Sequence, residues 1–231
     1  MFRNDPRVGR RLRQFGLQIQ CAVAEELAVN RLTAALQALE RAWLAGGMPH
    51  TDWLAPGLDP VEAERLLRSN GFGAPDEALD WFAWHNGTTA NTEQVRPVLG
   101  PSGLEPLSLE ACFAERSRIA GVARQSEAEG AVLDEDEGRL WEDGWLPVGR
   151  DVGGTLLTLD LAGTEGGQVP VRRVDFWDVD MKKVRAKSLA EVVEFWVYVL
   201  DSYCEWSPAK RGWDLDFAAL PVDVRRRGDL I

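Results

Sequence analysis

The chain has 231 residues, 45% of them hydrophobic and 27% charged, with a net charge of −11, which fits one large domain, or one domain with terminal extensions, able to bury a sizeable core. The charge is concentrated: residues 71–145 hold 15 acidic and 5 basic side chains, a field that repels nucleic acid and attracts basic surfaces. Cys21, Cys112 and Cys204 are odd in number and never paired as C-x-x-C, which excludes a disulfide framework and a cysteine zinc site.

Residues 1–24 carry Arg3, Arg7, Arg10, Arg11 and Arg13 and read as an arginine-rich extension. No apolar run follows that would make a secretory leader or a membrane span, so the sequence predicts a cytoplasmic protein that neither crosses nor binds a membrane. Leu32, Leu36, Leu39 and Trp43 recur at helical spacing and Gly46-Gly47 stops the pattern, which predicts a helix over about 24–45. Asp59-Pro60 opens a second helix as N-cap and first-turn proline. Pro75-Asp76 opens a third, whose Trp81, Phe82 and Trp84 leave little polar surface, with Asn86-Gly87 placed to end it. A short strand ends near Leu107, and Ser108 caps the next helix.

The period then changes from helix to strand. In "GGTLLTLDL" Leu157, Leu159 and Leu161 share one face, and Leu156, Thr158 and Asp160 the other, the two-residue repeat of a half-buried strand. "VPVRRVDFWDVD" reads as the next strand. Ser188 caps a closing helix to about Glu205, with Glu191 at the capping-box position. The fold class is therefore α+β: N-terminal helices, a central, mainly antiparallel meander and a closing C-terminal helix.

Gly149 and Gly154 have the spacing of a phosphate loop, but Thr155 and Leu156 follow where lysine and a hydroxyl are required, and a strand rather than a helix comes next. The segment reads instead as a hairpin turn. His50 and His85 stand far apart without a zinc motif, and His85 reads as a partner of a helix C-terminus. The acids Asp175, Asp178 and Asp180 lack the pattern of a calcium loop. No catalytic, metal or cofactor motif is present, and the sequence predicts that the chain is not an enzyme.

The run Asp134-Glu135-Asp136-Glu137, with Glu142 and Asp143 beside Trp141 and Trp145, has the acid-plus-aromatic composition of a protein interface. The same composition suits a solvated loop over a packed tryptophan. In order, "WFAWHNG", "LEPLSLEACF", "WLPVGRDVGGTLLTLDL", "VDFWDVD" and "AKSLAEVVEFWVYVLDSY" resemble the SMI1/KNR4 family of the SUKH superfamily over about residues 25–206, with 207–231 left as a tail. The resemblance implies a non-catalytic binding domain. Its bacterial form is an immunity protein that neutralises a polymorphic toxin, often a nuclease, and its other form is a regulatory scaffold module. A basic toxin domain is the partner expected for so acidic a chain.

Overall fold

A computed structural model describes residues 31–48, 53–89, 98–101, 103–130, 140–164, 167–175, 183–210 and 212–230. The arginine-rich extension, the start of the first predicted helix, His50, Asp134–Glu137, Asp178 and Asp180 lie outside the described residues. Helix α1 is described over 31–45. Its stripe of Leu32, Leu36, Leu39 and Trp43 is buried, and the Trp43 indole N–H donates to the Leu99 carbonyl at 3.1 Å. After Gly47, the short strand β1 (Leu54–Pro56) leads to α2 (Pro60–Ser69). Asp59 caps α2 by accepting from the amides of Val61 and Glu62, because a short carboxylate there meets N–H groups that have no partner within the helix.

Helix α3 (Asp76–Trp84) buries Ala78, Trp81 and Phe82. It ends abruptly: His85 already has extended backbone and begins β2 (His85–Thr88), which pairs antiparallel with β1. Asn86-Gly87 therefore does not cap α3 as its sequence suggests. The two residues serve the next helix instead. The Asn86 side-chain oxygen accepts from the Leu109 amide at 2.8 Å, and Gly87, at φ +78°, approaches so closely that a Cβ there would lie 2.4 Å from the Ser108 nitrogen. Strand β3 (Glu105–Pro106) precedes α4 (Leu109–Ala128), whose N-cap is Ser108 accepting from the Ala111 amide.

Strands β3, β4 (Trp145–Arg150), β5 (Leu156–Asp160), β6 (Val171–Val174) and β7 (Val184–Ala186) form one antiparallel sheet in chain order, so the α+β architecture and its meander are present. The β4–β5 connection is the hairpin turn read from the sequence. Asp151 exchanges backbone bonds with Thr155 and Gly154, its carboxylate accepts from the Thr155 amide, and Gly154 adopts φ +92°. Helix α5 (Leu189–Tyr203) follows, capped by Ser188, with the Glu191 carboxylate accepting from the Lys187 amide.

The sequence makes β5 half-buried, but every one of its residues is buried. Alternation is kept and both faces are covered. One face meets the main core, which includes α1, α3 and α5, and the other meets α4. A second difference concerns the segment after α5. Strands β8 (Cys204–Ser207) and β9 (Gly212–Leu215) form a hairpin, and the short helix α6 (Val222–Arg225) follows. Leu220, Val224 and Leu230 are buried in the main core, and the Trp196 indole N–H donates to the Leu230 carbonyl at 2.6 Å. Residues 207–210 and 212–230 are thus part of the packed unit rather than a tail, because burial of these aliphatic side chains offsets the entropy of ordering the segment.

Candidate functional site

The expected acid-plus-aromatic interface divides in the structure. Trp141 and Trp145 are buried and meet edge to face, with ring centroids 5.4 Å apart. They form a second core cluster with Ile119 and Ala123 of α4, Leu156 of β5 and Val174 of β6. Arg172 lies over the Trp145 ring at 5.0 Å while pairing with Asp160 at 2.7 Å. Two buried indoles packed in this way act as core. An exposed aromatic anchor, which needs rings free to enter a partner's pocket, is not what Trp141 and Trp145 provide. Glu142 and Asp143 sit in the turn before β4, half-buried and exposed respectively, and the Asp143 carbonyl accepts from Arg116 at 2.8 Å.

His85 is also placed differently from the sequence expectation. Its Nδ1 lies 3.0 Å from the Ala55 carbonyl, and its Nε2 lies 3.5 Å from Glu40, whose carboxylate also accepts from the Trp84 indole at 2.7 Å. His85 does stand at the end of α3, where its backbone N–H donates to the Trp81 carbonyl, but its ring fastens β2 to β1 and α1. Burial pushes the Cys204 thiol up to about 11 and holds the Cys112 thiol well above its ordinary value, so both stay protonated and weakly nucleophilic at neutral pH. Among the described residues, no group of three or more His, Cys, Asp or Glu side chains is placed to hold a metal ion, and no helix is long and apolar enough to cross a membrane.

A different acidic surface emerges at the β8–β9 hairpin. Glu205 of β8 stands directly opposite Asp214 of β9, and like charges in such cross-strand pairs are destabilising. Asp201 at the end of α5 and Asp216 after β9 add two exposed carboxylates around Tyr203, and together they line an open groove of about 670 Å³. Lys210 bonds Asp214 at 2.5 Å, which offsets part of the repulsion. Trp206 and Trp213, also directly opposite each other, stack edge to face at 5.4 Å, and Trp53 packs on Trp206 at 6.3 Å. The hairpin thus has an acidic edge with an aromatic backing. Its sequence signal is the alternation Cys204-Glu205-Trp206 against Trp213-Asp214-Leu215, hidden when the segment is read as the end of a helix and a tail.

The groove is open and polar. Its acids match a basic surface electrostatically, and its shape suits contact with another macromolecule better than enclosure of a small substrate. No protein-family model and no curated protein matches the chain, so its function is inferred from its own residues and geometry.

Proposed function

We propose that the chain is a non-catalytic protein-binding domain, acting as an immunity protein that neutralises a cognate toxin by direct binding. The observation that carries this reading is the acidic groove of Asp201, Glu205, Asp214 and Asp216, where a cross-strand pair of carboxylates is kept despite its cost. A basic partner relieves that repulsion on binding, and the net charge of −11 speeds encounter with it. The resemblance to the SMI1/KNR4 family supports the same reading and makes a nuclease domain the toxin class to try first.

The test is co-expression with each C-terminal toxin domain that a neighbouring reading frame of the native host is found to encode, read as survival, together with the association rate of the purified pair. The chain protects cells, and changing Asp201, Glu205, Asp214 and Asp216 to their amides lowers the association rate by about tenfold at low salt, with the difference shrinking as salt rises. Cells that die despite soluble expression of the chain would overturn the immunity reading. A rate indifferent to the four changes would remove the groove from it.

A further inference from the structure

Between α4 and the turn before β4 lies a separate pocket of about 420 Å³, lined by Arg116, Ser117, Arg124, Glu127, Trp141 and Asp143, among others. Its volume falls in the range of small-molecule sites. Trp141 is only 4% exposed, yet its indole N–H has no hydrogen-bond acceptor among the described residues, and the Nε–H of Arg116 is buried in the same condition. Buried donors without acceptors are rare, because each keeps the cost of leaving water without a bond to offset it. Two of them on residues lining one pocket mark a place where an acceptor is missing.

The surrounding groups define that acceptor. Arg116 is held by its Nη2 bond to the Asp143 carbonyl and by stacking over the Phe72 ring at 4.8 Å, so its guanidinium is fixed with the Nε–H still to be matched. Arg124 donates its own Nε–H to the Ala120 carbonyl at 3.0 Å and also lines the pocket. Both guanidiniums favour a planar anion with two oxygens. Glu127, whose carboxylate accepts from the Leu140 amide at 2.7 Å, adds a negative charge to the lining and disfavours a doubly charged ligand. The net charge of −11 repels polyanions.

We propose that this pocket binds a small, singly charged carboxylate, which accepts from Trp141 Nε1 and Arg116 Nε after small side-chain adjustments, with Arg124 supplying further positive charge. The site is independent of the acidic groove and of any toxin.

The test follows the indole N–H resonances of the ¹⁵N-labelled full chain during titration with acetate, inorganic phosphate or chloride at matched ionic strength. The Trp141 signal is identified by Trp141→Phe, or by through-bond assignment if that variant does not fold. Acetate shifts this resonance saturably, and Arg124→Gln, a change at an exposed side chain, weakens the half-saturation by about tenfold, the worth of one charge-assisted hydrogen bond. An equal, unsaturated response to acetate and chloride would overturn the proposal and leave water as the partner of these donors. So would an acetate affinity unchanged by Arg124→Gln. Phosphate saturating the signal at lower concentration than acetate would overturn the carboxylate assignment.

Discussion

The two faces of the five-stranded sheet are built on the same backbone alternation, yet they are packed by different chemistry. On one face, Leu146, Val148, Leu157, Leu159 and Val171 join the main core, where burial of apolar area dominates. On the other, Trp145, Leu156 and Val174 meet α4, but Thr158, Asp160 and Arg172 share the same side by register. Thr158 is fully buried with no partner for its hydroxyl among the described residues, whereas Asp160 and Arg172 satisfy each other. The first face tolerates no loss of volume. The second depends on ion pairs, Asp160 with Arg172 and Arg150 with Glu115 of α4, and carries a hydroxyl without a partner among the described residues, so its residues should range from costly to replace to nearly neutral.

The largest effect should come from Leu159→Ala, which leaves a cavity in the fully packed face. We expect a loss of about 3 kcal/mol in chemical denaturation. A loss below about 1 kcal/mol would show that this face can collapse around the gap. On the opposite face, Asp160→Ala strips Arg172 of its carboxylate and the Gly163 amide of an acceptor, which should cost about 2 kcal/mol, since these side chains are only 12% and 15% exposed. If the double change of Asp160 and Arg172 to apolar residues restores stability, the pair serves to fill and neutralise that face rather than to strengthen it.

An intermediate effect should come from Glu77, the polar exception on the main-core side. It is 1% exposed, and its two oxygens accept from the amides of Val169, ahead of β6, and Ala190, in the first turn of α5. Burial raises its carboxyl above the ordinary value against the pull of these amides. A raised pKa in the folded state means that its stabilising contribution is full below the usual carboxylate range near about pH 4.3 and is lost as pH rises through the folded value. Glu77→Gln turns amide donors against backbone donors and should cost about 1–2 kcal/mol at low pH. The gap between parent and variant should narrow toward neutral pH. A gap that widens instead would mean that the backbone amides outweigh burial.

The smallest effect tests the second face most directly. Thr158→Val replaces a buried hydroxyl that has no partner among the described residues by a methyl group of similar volume. Thermal melts should show a change within about 0.5 kcal/mol, or a gain, because nothing is left unpaired. A large loss would reveal an ordered water bound to this hydroxyl.

Much of this architecture is local and was legible for that reason. The leucine stripe of α1, the caps at Asp59, Ser108 and Ser188, the hairpin at Asp151–Gly154 and the alternation of β5 each depend on residues two to four apart, the range over which backbone periodicity and side-chain capping act. The acidity of residues 71–145 was equally plain. The sequence pattern could not say which faces would be covered. Alternating apolar residues mark one buried face of β5, while its burial on the other depends on α4 arriving there with Ile119 and Ala123. The same holds for Trp141, whose composition suits a core or an interface until its neighbours are known.

What the sequence by itself determined was the order and type of the main elements, the turn that rules out a phosphate loop, and the sign of the charge. Tertiary structure alone decided that Asn86 caps a helix 23 residues away and that Glu77 joins groups 92 and 113 residues away. It also decided that Leu220, Val224 and Leu230 complete the core, and that the acids of β8 and β9 face each other. Hydrogen bonds and burial between distant segments depend on the path of the whole chain, and a residue's neighbours in sequence do not contain that path.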